Sequence, residues 1–453
     1  MADDGLTSLT ATQAAEEIAR GALSAEDYAR ACLERIDAVE GEVAAFAHLD
    51  RDHVLAQARA LDEQRAQGRP IGPLHGIPVG IKDIIDTTDY PTELGSPLGA
   101  GRRPWQDATV VAKLRAAGAV IIGKTVTTEF AYFHPGKTRN PHDPTRTPGG
   151  SSSGSAAAVA ANMVPLALGS QTNGSVIRPA AFCGVFAVKP SHGLVSRAGV
   201  LMLSRKLDHV GAFARSLSDL ALALDVIGGY DPSDPDTRRF AAPDFRKLQG
   251  EKPPLPPRFA FLRTPVWDKA EADTKAALEE LTAALGSQVA PVDLPQALAE
   301  AWDVHRIIMA TDMAHNLAPY VARGEPSEVM RKLLAYGGSV SAVDYLAALA
   351  KAPRYAASIA EIFDEYDAIL TPAAAGVAPK GLSSTGDPAF CTLWTLTGLP
   401  ALSLPLLAGE RGLPLGVQLV GAPGQDARLL RTAGALIDML TASKKSSRRA
   451  KRQ

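Results

Sequence analysis

Cysteine is scarce in this sequence, with three residues among 453. Three cysteines cannot form a disulfide framework, so the composition favours a reducing compartment, and we expect a cytoplasmic protein. Long apolar runs are also lacking: residues 156–168 form the longest, and Asn162 and Pro165 make it a poor membrane span. The acidic, polar residues 1–4 are unlike a secretory signal peptide. We therefore expect no membrane partner.

An excess of charge of one sign is absent as well, because 47 basic and 49 acidic residues leave a formal net charge of −2. Dedicated nucleic-acid binders normally carry a basic excess, so we expect no nucleic-acid partner. The balance hides one local cluster: six of the last ten residues are basic, which leaves −8 on the rest of the chain. We predict that residues 444–453 form a disordered, solvated tail; a weak contact with nucleic acid or an anionic surface is the alternative.

Histidine is infrequent, with nine residues, and none of them shows the H-E-x-x-H pattern or another clustered spacing typical of metal ligands. We therefore expect no metal and no cofactor. Glycine and proline are plentiful instead, with 39 and 33 residues, which indicates many loops and turns. A hydrophobic content of 46% excludes a disordered chain and suffices for a large core.

The order of periodic segments predicts an α/β protein. Helical spacing dominates near the N-terminus, and short apolar runs then alternate with helical segments. Strand-like segments return near the C-terminus, so we expect the second half to complete the same sheet. The prediction is a single domain over 1–443, with N-terminal helices at 1–65, a core at 66–230, a proline- and charge-rich connection at 231–257 and a helical appendage at 294–363.

Residues 118–125 match the phosphate-loop pattern G-x-x-x-x-G-K-[ST]. Their context opposes that function, because a phosphate loop follows a strand and needs a flexible cradle between its glycines. Here a helical segment precedes Gly118, and the four middle residues, Ala-Val-Ile-Ile, predict a buried strand. Amides committed to a sheet cannot also converge on phosphates, so the sequence argues against nucleotide binding.

Residues 150–154 match the nucleophile-elbow pattern G-x-S-x-G. That elbow follows a strand, whereas a proline-rich segment, residues 140–149, precedes it here. The histidine of such a hydrolase comes late in the chain, but the last histidine is His315. We therefore expect no Ser-His-Asp hydrolase of that type.

Two Gly/Ser-rich loops, residues 149–155 and 169–175, flank an alanine-rich helical segment. Small residues in such loops let backbone amides approach a ligand closely. Upstream, Lys82 ends the apolar segment 76–82, which is an unusual position for a lysine. A lysine whose charged end reaches solvent from the end of a strand is the structural alternative to a functional role.

Together these segments resemble the amidase signature family, and the likeness extends from about Ala11 to Asp438. The resemblance implies the amidase signature fold, a large mixed twisted β-sheet flanked by α-helices on both faces, and an amidohydrolase that acts on small linear carboxamides. Within the family the chain is similar to bacterial malonamidase-like enzymes. The downstream strings of the family lie at 371–372, 398–401 and 412–418, and the closer likeness lies at 171–172, 175–179 and 384–388.

A Ser–Ser–Lys triad performs the hydrolysis in this family. The resemblance places the nucleophile on Ser175, the proton-shuttling serine on Ser151 after a cis peptide, and the base on Lys82. It places the oxyanion hole on the backbone N–H groups of residues 172–175, which are Thr172, Asn173, Gly174 and Ser175.

The base must be neutral to act, and burial at the end of an apolar strand lowers a lysine pKa. We therefore expect the carboxylate of Asp83 to point away from Lys82, since its charge would keep that lysine protonated. Ser151 would then accept the proton of Ser175 while it donates its own to Lys82, and would later return the proton to the leaving amine.

Two positions depart from the common family pattern. Asn173 stands where glycine is usual, which raises the question whether the loop needs a positive φ there. Arg178 lies three residues after Ser175, where many members have arginine two residues after. On a helix that spacing puts Arg178 on the face of the nucleophile, where it either binds a substrate carboxylate or positions the loop through an internal salt bridge.

Four further residues are candidates for substrate binding. Gln171 belongs to the second Gly/Ser-rich loop, and Tyr132 follows the strand predicted around Gly123. Phe390 and Trp394 either line the acyl pocket or pack beneath it.

Other functions stay open at the level of sequence. The same triad also fits a hydrolase of carbamates (a urethanase) or of urea derivatives. Esters are further possible substrates of such a triad. A second alternative is the A subunit of an aminoacyl-tRNA amidotransferase, which supplies ammonia from glutamine to a partner; the shifted Arg178 and a weak downstream likeness argue against it. A binding module with a dead site conflicts with intact Lys82, Ser151 and Ser175. We expect a monomer or a homodimer.

Overall fold

A computed structural model describes residues 5–450 of the chain. Within that range eleven strands pair into one sheet, in the order β1-β3-β2-β4-β6-β5-β10-β11-β9-β7-β8. The strands are β1 (Phe46–Leu49), β2 (Pro78–Lys82), β3 (Val120–Thr125), β4 (Leu166–Gln171), β5 (Phe186–Lys189), β6 (His209–Ala214), β7 (Phe259–Leu262), β8 (Val289–Val292), β9 (Ala368–Pro372), β10 (Ala401–Ala408) and β11 (Pro414–Val420).

The sheet is mixed, as the sequence predicted. Strand β2 runs parallel to both β3 and β4, while β4 and β5 pair with β6 in antiparallel fashion. Strand β10 joins the two halves, because it pairs with β5 from the first half and with β11 from the second. Strands from both halves of the chain thus complete one sheet.

Helices flank this sheet and cover it. Every residue of β2, β3 and β4 is buried, which requires packed layers on both faces of these strands. The α-helices are α1 (Ala11–Ala19), α2 (Ala25–Val43), α3 (Arg51–Ala66), α4 (Thr109–Ala116), α5 (Ser153–Ala160), α6 (Ile177–Cys183), α7 (Leu217–Ile227), α8 (Phe245–Gly250), α9 (Ala272–Leu285), α10 (Ala301–Asn316), α11 (Ala318–Val321), α12 (Glu328–Ser339), α13 (Ala342–Ala360), α14 (Ala389–Leu396) and α15 (Asp426–Ala450).

Local sequence signals explain where several helices begin. Thr10 and Gln13 form a capping box at the start of α1, in which each side chain accepts a hydrogen bond from the backbone N–H of the other. The Ser24 side chain accepts from the N–H of Asp27 at the start of α2. Asp107, which precedes α4 and resembles a cap, instead accepts hydrogen bonds from Thr88 and from Arg115, so α4 starts without a side-chain cap.

Three segments differ from the sequence prediction. Residues 1–65 contain strand β1 among their helices, because Phe46–Leu49 is too short for its periodicity to stand out and is fixed by pairing with β3. The connection at 231–257 contains helix α8, in which the N–H of Lys247 donates to the N-cap side chain of Asp244 and the N–H groups of Phe245 and Arg246 donate to Asp225. Helix α15 continues to Ala450 through residues 444–450 of the predicted disordered tail, because lysine and arginine are good helix formers near a helix C-terminus. Residues 451–453 lie outside the described residues.

Among the described residues no single helix is long and apolar enough to cross a membrane, and only the bent pair Glu328–Ser339 with Ala342–Asp364 meets that test together, by length and composition.

Candidate active site

The residues of the predicted triad lie at the ends of β2, β3 and β4 or in the segments after them. Lys82 is the last residue of β2 and is fully buried. Ser151 lies in the first Gly/Ser loop, in the segment after β3, and Ser175 follows β4 just before α6. Because β2 and β4 are parallel neighbours, with Ile81 opposite Leu168, residues that follow their C-terminal ends lie at the same edge of the sheet.

Hydrogen bonds place the amine of Lys82 against two serines. Its Nζ donates to Ser151 Oγ at 2.7 Å and to Ser170 Oγ at 2.8 Å. Burial lowers the pKa of Lys82 well below its ordinary value, and the carboxylate of Asp208 opposes that shift. A buried amine with neutral hydroxyl partners is suited to accept a proton near neutral pH.

Ser170 is a site residue that the sequence analysis did not identify. Its side chain comes from β4 and reaches the same amine as Ser151. In the sequence, the only signal for this role was the position of Ser170 in the second Gly/Ser loop. Its contact with Lys82 depends on the register of β4 against β2, which the sequence does not reveal.

Asp83 points away from Lys82, as expected. Its carboxylate lies 3.5 Å from the Nζ of Lys124 and accepts from the backbone N–H of Glu93. Successive residues of a strand face opposite sides, so Lys82 and Asp83 diverge at the end of β2. The nearest carboxylate in sequence therefore does not pair with Lys82.

The peptide between Gly150 and Ser151 is cis, as the family resemblance implied. Ser151 is buried, and Ser175 is 8% exposed in the wall of a small cavity. Within the described part of the chain, the hydroxyl of Ser175 makes no hydrogen bond to another residue. The chain of hydrogen bonds thus runs from Lys82 to Ser151, and the link from Ser151 to Ser175 is open in this structure.

The loop before Ser175 is held by its carbonyl groups. The carbonyl oxygen of Thr172 accepts from His305 Nε2 at 2.9 Å, and that of Asn173 accepts from Thr395 Oγ1 at 2.5 Å. The carbonyl oxygen of Gly174 accepts from the N–H of Arg178 at 3.0 Å. All three carbonyls are therefore bound to the helices α10, α14 and α6 behind the loop.

This arrangement orients the amide groups. In a trans peptide the N–H points opposite to the carbonyl of the preceding residue, so the N–H groups of Asn173, Gly174 and Ser175 point away from those helices. In the described chain these N–H groups have no protein acceptor, and the residues line the cavity. Three of the four amides predicted for the oxyanion hole are thus directed away from α6, α10 and α14.

Asn173 does not adopt a positive φ, so the glycine usual at this position is not needed for backbone conformation. Its side-chain oxygen accepts from Thr392 Oγ1 at 2.8 Å, which ties the loop to α14. Gly174 is required for space instead: an added Cβ would lie 2.9 Å from Pro388 Cβ and 3.2 Å from Cys391 Cβ.

Arg178 lies in α6 with its side chain in the cavity wall and 1% exposed. Its Nη2 donates to the Gly150 carbonyl at 2.7 Å and to Thr385 Oγ1 at 3.2 Å, while Nε and Nη1 are buried without a partner. Burial lowers the pKa of Arg178 to about 10. The arginine makes no salt bridge within the described residues, so the internal ion pair considered as an alternative is absent.

The other predicted binding residues divide into two groups. Tyr132 lines the cavity beside Phe133, with their ring centroids 4.6 Å apart. Gln171 does not line it: its Oε1 accepts from the N–H groups of Val176 and Ile177, so it shapes the turn before α6. Phe390 and Trp394 are buried in α14 outside the cavity wall, which matches packing beneath the site.

The remaining cavity wall is apolar and comes from α10 and from the loop before β6. Met309 and Met313 extend from α10, within the predicted helical appendage at 294–363, and Leu203 comes from the loop before β6. Methionine adapts to irregular shapes, which suits a wall that contacts a small organic substrate.

Comparison with known proteins shows the family of this chain. The profile of the amidase family matches residues 27–430, and the chain belongs to that family. It is therefore an enzyme that acts on amide C–N bonds. Its fold is similar to the native peptide amidase of Stenotrophomonas maltophilia, with 30% identity, a TM-score of 0.85 and coverage of 97% of this chain and 98% of that one.

Two other known proteins are also similar to this chain. The A subunit of glutamyl-tRNA(Gln) amidotransferase from Chloroflexus aurantiacus is 39% identical over 469 aligned positions, which cover 94% of this chain and 96% of the relative. A solved structure described as a vestigial protein complex that reveals the origins of an s-triazine catabolic enzyme is 31% identical, with a TM-score of 0.88 and coverage of 95% and 98%. The similarity to the amidotransferase subunit spans nearly the whole chain. The expectation that the downstream part of the chain resembles such subunits only weakly was therefore wrong. None of these relatives is a malonamidase.

Proposed function

We propose that this chain hydrolyses the C–N bond of a small carboxamide through an acyl-enzyme on Ser175. The observation that carries the proposal is the buried amine of Lys82, 2.7 Å from Ser151 Oγ, beside a cavity that holds Ser175. A serine hydroxyl is a weak nucleophile, and a neutral lysine relayed through a second serine supplies the base that it needs.

The acylation step moves one proton along the triad. Ser175 Oγ attacks the carbonyl carbon while its proton passes to Ser151 Oγ, and the proton of Ser151 passes to Lys82 Nζ. The oxyanion that forms accepts hydrogen bonds from the amides of residues 173–175. The proton then returns through Ser151 to the leaving nitrogen, the C–N bond breaks, and an ester remains on Ser175.

Deacylation repeats the same relay with water. A water molecule gives its proton through Ser151 to Lys82 as its oxygen attacks the ester carbon. The oxyanion again binds the amides, and the returning proton releases Ser175 Oγ with the carboxylic acid as product.

We further propose that the substrate carries a carboxylate. Arg178 presents two buried nitrogens without partners in the cavity wall, and an unpaired buried cation is costly until an anion binds it. A carboxylate on the acyl side of the amide would accept a hydrogen bond from Nη1, and its charge would pair with the buried guanidinium.

A substrate panel tests this proposal. Purified protein is incubated with amides, anilides, ureas, carbamates and esters, each with and without a terminal carboxylate, and Arg178→Met is run in parallel. We expect hydrolysis of carboxylate-bearing amides, with KM raised about tenfold or more in Arg178→Met and neutral amides little affected. Faster turnover of carbamates or ureas would favour the urethanase or urea-derivative alternative.

Labelling tests the nucleophile directly. A serine-reactive phosphonate should attach to the wild-type chain at Ser175, as located by peptide mass spectrometry, and should leave Ser175→Ala unmodified. Labelling of both proteins at another serine would refute the assignment.

A second candidate function is that of the A subunit of an aminoacyl-tRNA amidotransferase, favoured by the 39% identity to such a protein over 94% of this chain. Glutamine is itself a carboxylate-bearing primary amide, so the same site accommodates it chemically. Purification from the native cell with a tag on this chain distinguishes the two. A stoichiometric partner, with glutaminase activity only in the complex, would establish the second candidate, whereas amidase activity of the isolated chain supports the first.

A further inference from the structure

Asp208 is a buried carboxylate just before β6 that belongs to none of the predicted site residues. It is 8% exposed and accepts three hydrogen bonds from the chain. Its Oδ1 accepts from Thr172 Oγ1 at 2.6 Å, and its Oδ2 accepts from the N–H groups of Leu203 and Ser204 at 2.8 Å and 3.0 Å. One carboxylate therefore connects two separate segments.

Both segments form the wall of the active-site cavity. Thr172 begins the loop of oxyanion amides, and Leu203 forms an apolar part of the wall. Helix α10 supports the same two segments from behind, because His305 binds the Thr172 carbonyl and Asn316 Nδ2 donates to the Leu203 carbonyl at 3.1 Å. Asp208 is the link that joins these segments to each other.

The charge of Asp208 also reaches the catalytic base. Asp208 lines one cavity together with Ser170, whose hydroxyl accepts a hydrogen bond from the amine of Lys82. From that position its carboxylate raises the pKa of Lys82, against the larger effect of burial. The other groups that face Lys82 are the neutral hydroxyls of Ser151 and Ser170, while Asp83 and Lys124 pair with each other on the opposite side. Asp208 is the carboxylate that acts on the charge of Lys82 among the described residues.

The surroundings of Asp208 balance its own charge only in part. Burial raises the pKa of Asp208 to about 6, and Arg197, which pairs with Asp234 and Asp236, opposes that shift from a distance. The neighbouring His209 is buried, and burial keeps its pKa well below the usual value, so it contributes no positive charge near neutrality. The carboxylate is thus ionised at neutral pH without a salt-bridge partner of its own.

We propose that Asp208 is a positioning residue with two separable roles: it fixes the oxyanion loop through Thr172, and it holds a negative charge close to the amine of Lys82. The proposal rests on the function proposed above, in which Lys82 is the base. In this proposal the loop before β6 positions the oxyanion loop, which no residue of the triad does.

Two substitutions separate these roles. In Asp208→Asn the amide oxygen still accepts from the two N–H groups and the amide NH₂ turns to the Thr172 hydroxyl, so the charge is lost and the contacts are retained. In Thr172→Val the methyl replaces the hydroxyl, so the loop loses its link and the charge remains. Asp426→Asn is the matched control, because Asp426 is also buried, accepts two hydrogen bonds from Ser191, and interacts with Lys189 instead of Lys82.

The readouts are kcat, KM and the pH profile of kcat/KM with a carboxamide that the wild type cleaves. For Asp208→Asn we expect the midpoint of the acid limb to move to lower pH, because removal of a negative charge makes the Lys82 ammonium less stable. For Thr172→Val we expect kcat to fall about tenfold with KM nearly unchanged, since the oxyanion forms only in the transition state, and we expect the midpoint to stay. Asp426→Asn should leave the midpoint and kcat unchanged.

An unchanged midpoint in folded Asp208→Asn, or wild-type kcat in Thr172→Val, would overturn the corresponding role. A fall in kcat shared by Asp208→Asn and Asp426→Asn, without a midpoint shift, would reduce Asp208 to a structural residue. Thermal unfolding confirms that each variant is folded, and Thr172→Val keeps the proposal testable if Asp208→Asn does not fold. Failure of the underlying function is distinguishable, because Lys82→Ala would then retain turnover.

Discussion

Asp83 follows Lys82 directly in the chain, yet its carboxylate pairs with Lys124, 3.5 Å away on the neighbouring strand β3. Both members of the Asp83–Lys124 pair are buried, with side-chain exposures of 3% and 0%. Burial lowers the pKa of Lys124 to about 8 and raises that of Asp83. The ion pair with Lys124 thus partly neutralises the carboxylate that follows Lys82, the proposed base, in the chain.

The first prediction concerns the stability of that pair. Lys124→Met leaves the Asp83 carboxylate buried and unpaired, so we expect the free energy of unfolding to fall by about 3–5 kcal/mol. Asp83→Asn combined with Lys124→Met removes both charges and should recover part of that loss. Urea unfolding followed by circular dichroism measures both variants. An equal free energy of unfolding in Lys124→Met and in the double variant would show that the two charges do not stabilise each other.

The second prediction concerns the base. Lys82→Ala should abolish turnover while the protein remains folded, because no other described group lies within hydrogen-bond distance of Ser151 Oγ to accept its proton. In the wild type, kcat/KM should rise with pH as the Lys82 ammonium loses its proton, since the neutral amine is the active form. A rate profile that is flat from about pH 6 to about pH 9 would count against this base.

The third prediction compares the two serines bound to Lys82. Ser151→Ala removes the only relay to Ser175 and should lower kcat by about a thousandfold or more. Ser170→Ala removes a hydroxyl that holds the amine but transfers no proton, so we expect a fall of about tenfold. Single-turnover rates with a chromogenic anilide measure both. Equal losses in the two variants would mean that Ser151 also acts only by holding Lys82.

The fourth prediction concerns the fit of the oxyanion loop on α14. In Gly174→Ala the new Cβ lies 2.9 Å from Pro388 Cβ, so the loop must shift away from that helix. We expect kcat to fall about a hundredfold, because the three amides move from the oxyanion position. Gly41→Ala is the control, since a Cβ at this helical position meets no atom within 4 Å. Normal kcat in Gly174→Ala would indicate that the loop tolerates the shift and that its amides do not define the rate.

The sequence determined more of the site than of its surroundings. The order of segments predicted one α/β sheet to which both halves of the chain contribute, and the resemblance to the amidase signature family predicted that the sheet is mixed, as found. The same resemblance predicted a site around Lys82, Ser151 and Ser175, and the structure places Lys82 and Ser151 in hydrogen-bond contact. Capping residues such as Thr10 and Ser24 also defined helix starts correctly, because a cap is a contact between residues three apart. Signals of this kind are local, so they can be read without knowing the fold.

Only the tertiary structure decided which residues share the site with that triad. Ser170 and Asp208 reach it through strand register and a loop, and Met309 comes from a helix more than a hundred residues downstream of Ser175. Gln171 and Trp394, candidates by position in the sequence, point into the protein: Gln171 Nε2 donates to Thr395 Oγ1 behind the loop, and Trp394 is fully buried in α14. These placements depend on contacts between distant segments, and the packing of the sheet and helices fixes them, whereas a motif records only the residues next to one another in the chain.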